Sequence, residues 1–206
     1  MSAQTNLFGN KKMLNLDKKI WRKFKIKSND NLPYCAKKAD RNTLALFFSE
    51  MNFNYGAEIG VRRGSYSKIL CEANPKLKIV CIDPWAPYAE ANLKKQNKNY
   101  ETAKNILRKY KAQIYKKTSM EAIDLFENNS FDFVYIDAAH NFDNVMTDII
   151  YWEKKVKPGG ILAGHDYFHM SHNGVVFAIN AYTRAHDIKY WYITSEQYPS
   201  WFWVKR

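Results

Sequence analysis

Short apolar runs rich in β-branched residues alternate with helical segments, and this alternation limits the fold more than any other feature. Strands separated by helices require crossover connections, which give a mainly parallel sheet. Only Ser195–Ser200 joins the last two runs, so these should pair antiparallel. We predict a doubly wound α/β domain, with helices on both faces of a seven-stranded sheet and one reversed strand at its C-terminal end. The predicted strands are Tyr55–Gly60, Lys78–Asp83, Gln113–Thr118, Phe131–Ile136, Ile161–Gly164, Lys189–Thr194 and Trp201–Val204.

The segments around these strands have helical character. Ser119 is the predicted N-cap of one of the helices. Residues 1–50 match no known motif, and we predict that they form a basic arm and helix ahead of a single domain over residues 51–206. The predicted helices are Leu16–Phe24, Ala36–Met51, Ser65–Ala73, Ala89–Tyr110, Met120–Glu127, Phe142–Val156 and Val175–Ala185.

Composition excludes several classes of protein. With 206 residues and 46% hydrophobic residues, the chain can bury one core, and it is too short for two ordinary domains. No apolar run is long enough to span a membrane, and the first twelve residues lack the apolar stretch of a secretory signal. Cys35, Cys71 and Cys81 do not have the spacing of a zinc site or a disulfide framework. These features predict a cytoplasmic protein.

The net charge of +12 raises the question of a polyanionic partner. Residues 1–50 carry 11 basic against 4 acidic side chains, and residues 94–117 carry 9 against 1, so the remainder of the chain is slightly acidic. In a doubly wound fold, residues 94–117 form an outer helix and the strand after it. The charge therefore predicts a solvated periphery, and nucleic acid is not the favoured partner.

Ligands bind at the carboxyl ends of the strands in such sheets. The first strand ends in Glu58-Ile-Gly60, and Gly64 and Ser65 open the next helix, whose amides favour polar or anionic groups. Asp83 follows the second strand at the spacing of a carboxylate that binds a ribose diol. The turn has the pattern G-x-x-x-G and lacks the glycines of a dinucleotide fingerprint. This pattern predicts an adenosine ligand without a pyrophosphate.

Polar and titratable residues also follow the later strands. Ser119 and Met120 follow the third strand, where they could frame an adenine ring. Asp137 and His140 follow the fourth strand, and His165 and Asp166 follow the fifth. We predict that these residues share one pocket.

The motifs together resemble the class I S-adenosylmethionine-dependent methyltransferases. Glu58-x-Gly60-x-x-x-Gly64 is similar to the first motif of that family, and Asp83 to its ribose-binding acid. Asp137-x-x-His140 and Gly164-His165-Asp166-Tyr167 resemble a subfamily that methylates sugars and related small molecules. The resemblance covers residues 53–206 and implies a Rossmann-like fold with the seven-strand order of that family.

The resemblance also implies roles for the residues that bind the cofactor, S-adenosyl-L-methionine. Glu58 would orient its amino group, and Gly60 would approach its methionine part. Asp83 would bind the ribose, and Asp137 would lie beneath the transferable methyl group. Arg62 would meet the ligand carboxylate or an acidic acceptor, although a solvated loop position explains it equally well. The residues near the adenosine would be Trp85, Ser119 and Met120.

A divalent cation and a metal-free route remain alternatives. Related enzymes hold Mg²⁺ at positions that correspond here to Asp137, His165 and Asp166, but an imidazole replaces an oxygen donor that Mg²⁺ prefers. The alternatives are Mg²⁺ on the two carboxylates, a softer divalent ion, or no metal. Without a metal, His140 is the preferred base and His165 the second candidate, because imidazole titrates near neutral pH.

The predicted function is O-methylation of a sugar or glycan hydroxyl. Aromatic residues that could stack on an acceptor are Tyr167, Phe168, Tyr198, Trp201 and Trp203, although the last two also fit a plain edge strand. The alternative is an RNA methyltransferase that uses the basic surface, but the chain lacks the motifs of base-modifying and ribose-methylating enzymes. A non-catalytic module of the same fold is a third hypothesis. The oligomeric state stays open, with a homodimer among the alternatives.

Overall fold

An eight-stranded sheet forms the centre of the computed structural model, which describes residues 14–27, 31–88, 91–171 and 173–206. The strand order is β1-β7-β8-β6-β5-β2-β3-β4. Only β8 runs antiparallel to its neighbours β6 and β7. The strands are β1 (Tyr34–Ala36), β2 (Tyr55–Ile59), β3 (Lys78–Ile82), β4 (Lys111–Tyr115), β5 (Phe131–Ile136), β6 (Val156–Gly164), β7 (Trp191–Thr194) and β8 (Trp201–Val204).

Helices cover both faces of the sheet. Alternate residues of the strands point to opposite faces, so the buried side chains divide into two clusters. One cluster joins α1 to α4 to the sheet, and the other joins α5 to α7 to it. The helices are α1 (Asn15–Lys23), α2 (Arg41–Glu50), α3 (Ser65–Ala73), α4 (Leu93–Leu107), α5 (Ser119–Ala122), α6 (Phe142–Lys155) and α7 (Val175–Ala185), and a 3₁₀ turn follows α5.

The predicted α/β class, the mainly parallel sheet and the single reversed C-terminal strand are confirmed. All seven predicted strands are present, and the sheet has in addition the edge strand β1, which pairs parallel with β7. This strand has three residues, too few for an alternating pattern to stand out in the sequence. None of the described helices is both long and apolar enough to cross a membrane.

Three predicted helix starts are wrong. The helix predicted over Ala89–Tyr110 begins at Leu93, because Asn92 accepts a hydrogen bond of 3.0 Å from the Lys95 amide and caps it. The helix predicted over Ala36–Met51 begins at Arg41, because Asp40 accepts a hydrogen bond of 2.7 Å from the Thr43 amide and caps it. The N-cap of α5 is Thr118 and not Ser119, since Thr118 and Glu121 form a reciprocal capping box.

The described part of residues 1–50 packs against the sheet. Ile20 and Phe24 lie in the same buried cluster as Phe47 and Phe48, and this cluster also contains side chains from β3, β5 and β6. The segment before residue 51 therefore shares a core with the predicted methyltransferase domain. The first thirteen residues of the predicted arm lie outside the described residues.

Candidate active site

The strands that precede the predicted site residues are neighbours, in the order β6-β5-β2-β3-β4, and they run in the same direction. Their carboxyl ends therefore meet at one edge of the sheet. Gly60, after β2, has φ of 90°, and a Cβ atom there would lie 2.1 Å from the Asp137 carbonyl oxygen after β5. The Asp137 amide donates to the Ile59 carbonyl at 2.7 Å. Only glycine permits this contact between the two loops.

Asp83 holds together the loops that follow β2 and β3. Its carboxylate accepts hydrogen bonds from the amides of Val61 at 3.0 Å, Arg62 at 2.8 Å and Trp85 at 2.7 Å. The buried Trp85 indole donates to the Arg62 carbonyl at 2.7 Å. A carboxylate accepts about four hydrogen bonds. The acid predicted to bind ribose is thus also the structural centre of the loop, with one acceptor position to spare.

Glu58 lies buried beneath the same loop. Its carboxyl accepts a hydrogen bond from the Ser67 hydroxyl. Burial raises the pKa of Glu58 to about 8, the negative charges of Asp137 and Asp83 act in the same direction, and the Ser67 hydrogen bond and Arg41 oppose them. Glu58 is therefore mainly neutral at pH 7 in the protein alone.

The Ser119 hydroxyl is directed into the core. It donates to the buried Asp148 and accepts from the Trp152 indole at 2.7 Å. Burial raises the pKa of Asp148 to about 6, against the opposing effect of this hydrogen bond. Met120 is half-buried and packs against the buried cluster that contains Trp152. The Ser119 hydroxyl thus uses its donor and one acceptor position within the core, which the sequence analysis did not predict.

Two carboxylates and two imidazoles converge at the ends of β5 and β6. Each oxygen of Asp166 faces one imidazole, with His140 Nε2 at 3.0 Å and His165 Nδ1 at 3.0 Å. Asp137 Oδ1 lies 3.7 Å from His140 Nε2 and 4.0 Å from His165 Nδ1. The structure thus brings together all four residues that the sequence placed in one pocket.

The charges within this cluster favour an ionised Asp166. Burial by itself would raise the pKa of Asp166, but the hydrogen bond from His165 and the charges of His165, His140 and Arg41 outweigh burial and lower it. Asp166 also has a left-handed backbone, with φ of 62°. Such a conformation costs energy and is concentrated at functional sites.

A cation would find three ligand atoms in this cluster. One ligand atom each from Asp137, His140 and Asp166 lies within 4.8 Å of the others. The imidazole in this set is His140 and not the predicted His165, whose Nδ1 faces the other oxygen of Asp166. Two carboxylates and an imidazole suit a divalent ion that accepts nitrogen better than they suit Mg²⁺.

Arg41 is a residue of this region that the sequence analysis missed. It begins α2, and its guanidinium lies 3.8 Å from Asp137 Oδ2 and 5.5 Å from the centre of the Tyr66 ring. No local pattern marks it, because its position depends on the pairing of β1 with β7. The basic character of residues 1–50 is the one sequence feature that points to a positive charge near the site.

The predicted aromatic residues divide between rim and core. Phe168 and the exposed Tyr198 meet with ring centres 4.8 Å apart. Tyr167 donates to Asn180 at 2.9 Å. Trp201 and Trp203 are buried and stack on each other at 5.1 Å. Trp203 is therefore a core residue, whereas Trp201 also contacts a small cavity that His140 and His165 line.

A second groove, larger than the cavity beside His140 and His165, lies at the amino ends of the strands. It has a volume of about 480 Å³, and its lining includes Met51, Phe53 and Pro158. Its charged lining groups, Lys19, Lys205 and Arg206, are all basic. Volume alone does not assign function, and the groups able to move a proton stand at the opposite edge.

The sequence matches a family model described as a methyltransferase domain over residues 57–167, more than half of the chain. No curated protein matches the sequence. The O-methyltransferase from Bacillus cereus, solved with S-adenosylhomocysteine, is 14% identical, with a TM-score of 0.62 over 97% of this chain and 94% of that chain.

Two further solved structures are similar. TomG, an O-methyltransferase of tomaymycin synthesis from Streptomyces achromogenes, solved with S-adenosylmethionine, is 15% identical, with a TM-score of 0.60 over 98% of this chain and 93% of that chain. A Staphylococcus aureus protein described as a candidate caffeoyl-CoA O-methyltransferase is 12% identical, with a TM-score of 0.59 over 93% and 91%. At these identities the similarity shows the fold, and the family model shows the family. The chain belongs to the methyltransferase-domain family, and it is a class I S-adenosylmethionine-dependent methyltransferase.

Proposed function

We propose that this enzyme methylates a hydroxyl group of a sugar or a glycan end. The observation that carries the proposal is the His140–Asp166 pair beside Asp137. A sugar hydroxyl is a poor nucleophile at neutral pH, so a base has to accept its proton while the new bond forms. An imidazole with an ionised carboxylate at 3.0 Å has the composition of such a base.

His140 accepts the hydroxyl proton in this proposal. S-adenosylmethionine supplies an electrophilic methyl group on its sulfonium. The acceptor oxygen forms the new bond to the methyl carbon while the sulfur–carbon bond breaks, and the bonding electrons stay on sulfur. Asp166, held ionised by its neighbours, orients the imidazole and stabilises the charge that the proton brings. The protein otherwise contributes position.

In this proposal the loops after β2, β3 and β4 bind the cofactor. Asp83 would bind the ribose through its remaining acceptor position while it keeps the loop together. The exposed Arg62 and Ser65, with the turn at Gly60 and Gly64, would face the methionine part. The walls of this pocket would be packed by three less exposed residues, Glu58, Trp85 and Met120. Asp137 would lie beneath the methyl group, where Arg41 and the two imidazoles lie 3.7 to 4.0 Å from its carboxylate.

A divalent cation is the second candidate for activating the hydroxyl, favoured by the set Asp137, His140 and Asp166. A cation bound there would lower the pKa of a coordinated hydroxyl. It would also have to break the contact between His140 and Asp166. We therefore favour the metal-free route.

The test is transfer of labelled methyl groups from S-adenosylmethionine to a panel of sugars, catechols and RNA, with and without EDTA. We expect transfer to sugars that chelation leaves within about twofold. Labelling of catechols or RNA alone would contradict the sugar assignment. Loss with EDTA and recovery with an added divalent metal would contradict the metal-free route.

A further inference from the structure

Arg41 brings a positive charge from outside the matched methyltransferase region to the candidate active site. The family model begins at residue 57, whereas Arg41 begins α2. Its side chain is 38% exposed, and its guanidinium faces Asp137 Oδ2 at 3.8 Å. A guanidinium has five N–H donors in a planar fork. Among the described residues this long ion pair is the one that Arg41 forms, and it leaves most of these donors available to a ligand.

The loop that carries Arg41 is fixed in place. Ala39 accepts hydrogen bonds from the Ser195 amide at 2.9 Å and the Ser195 hydroxyl at 3.2 Å, which ties the β1–α2 loop to the β7–β8 loop. Tyr66 donates to the Arg41 carbonyl at 3.0 Å, and its ring lies under the guanidinium. The side chain is thus positioned in advance of any acceptor.

Two further cations lie on the same loop. Lys37 and Lys38 are exposed, and neither forms an ion pair within the described parts of the chain. The β1–α2 loop and the first residue of α2 therefore carry three positive charges against the one negative charge of Asp40, and Arg41 contacts the carboxylate of Asp137. Such a combination recognises an anionic group on the molecule that enters the site.

We propose that Arg41 binds an acidic group of the acceptor, so that the substrate class is a sugar bearing a phosphate or a carboxylate. The sugar part of this substrate class rests on the proposed sugar O-methylation, whereas the acidic group is inferred from Arg41. The planar fork of arginine matches both kinds of anion in a bidentate arrangement. Lys37 and Lys38 would add attraction at longer range.

The experiment is calorimetric titration of the complex with S-adenosylhomocysteine. The probes are glucose, galactose and mannose, each compared with its 6-phosphate and its uronic acid. We expect at least one acidic member to bind at least about tenfold more tightly than its neutral sugar. Arg41→Gln should reduce this preference to less than about threefold, and Arg41→Lys should restore part of it. Phosphates and uronic acids form separate arms that identify the anion.

Arg22→Gln is the matched control, because Arg22 is an exposed arginine on α1, outside the candidate site, and the substitution removes the same charge. It should keep the full preference. Wild-type protein that binds no acidic sugar more tightly than its neutral partner would overturn the proposal, as would an unchanged preference in Arg41→Gln. Methyl transfer to neutral sugars alone would reject the acidic acceptor while keeping sugar methylation. Acid-selective binding that Arg41→Gln abolishes, without methyl transfer to any sugar, would reject the proposed reaction instead.

Discussion

The two halves of the candidate active site use their polar side chains differently. In the cofactor half, after β2 and β3, Asp83 bonds to three backbone amides and so builds the loop around itself. In the reaction half, after β5 and β6, His140 and His165 each contact one carboxylate oxygen of Asp166. The first arrangement fixes the shape of a binding loop, whereas the second tunes charge and proton position. Substitutions should therefore change binding and stability in one half and turnover in the other.

The largest expected effect concerns His140. In His140→Gln, the side-chain amide can still donate to Asp166 but cannot accept a proton, so turnover should fall about 10²- to 10⁴-fold. The affinity for S-adenosylmethionine should stay within about threefold, because the substitution lies in the reaction half. Steady-state kinetics and calorimetry give the two quantities. His186→Gln, at an exposed histidine after α7, is the control, and unchanged turnover in His140→Gln would exclude His140 as the base.

Gly60 tests the close contact between the loop after β2, in the cofactor half, and the loop after β5, in the reaction half. In Gly60→Ala, the new Cβ would strain a residue with φ of 90° and would meet the Asp137 carbonyl, so the free energy of unfolding should fall by about 3 kcal/mol. Gly159→Ala is the control, since Gly159 has φ of 80° but no atom within 4 Å, and it should cost about 1 kcal/mol. Urea unfolding measures both. Equal losses of unfolding free energy in the two variants would show that the contact of Gly60 with the Asp137 carbonyl adds no cost to the strained backbone.

Ser119 tests whether its hydroxyl belongs to the core or to the cofactor site. Ser119→Ala leaves the buried Asp148 without its donor and Trp152 without its acceptor, which should cost about 1–3 kcal/mol of unfolding free energy. Affinity for S-adenosylmethionine should stay within about twofold. Thr147→Ala, which removes an i–4 hydrogen bond on α6, should cost less than about 0.5 kcal/mol. A large loss of affinity for S-adenosylmethionine without a loss of unfolding free energy would show that the hydroxyl binds the cofactor.

Glu58 is tested by how the free energy of unfolding depends on pH. Because burial raises its pKa from 4.5 to about 8, the folded protein keeps a proton that the unfolded chain releases within this range. Its stability contribution is complete below pH 4.5 and is lost as the pH rises through 8, with a slope of up to about 1.4 kcal/mol per pH unit. Glu58→Gln should remove this slope. Urea unfolding at pH 5, 6.5 and 8 measures it, and identical slopes in both proteins would contradict the buried neutral carboxyl.

Local sequence signals predicted the elements that depend on local structure. The strand Phe131–Ile136 and the helices Ser65–Ala73 and Val175–Ala185 have the predicted bounds, because apolar periodicity and flanking turns determine them. The capping box of Thr118 and Glu121 is also a local sequence signal, and Thr118, not the predicted Ser119, caps α5. The reaction-half residues could be placed in one pocket because parallel strands end together.

Tertiary structure decided the rest. The position of Arg41 depends on a three-residue edge strand that pairs with β7, more than 150 residues later in the chain. The pairing of Asp166 with both imidazoles depends on the packing of two loops, which the sequence does not contain as a pattern. Likewise, the Ser119 hydroxyl faces the core because α6 places Asp148 and Trp152 beside it.

The most direct test compares Asp83→Ala with Asp137→Ala by calorimetric titration with S-adenosylmethionine and by turnover on the same preparations. Asp83→Ala should weaken cofactor binding at least about tenfold, because it removes a charged hydrogen-bond acceptor and the centre of the loop. Asp137→Ala should keep the cofactor dissociation constant within about threefold and lower turnover at least about hundredfold. Equal losses of cofactor affinity in the two variants would contradict the division of the site into a cofactor half and a reaction half.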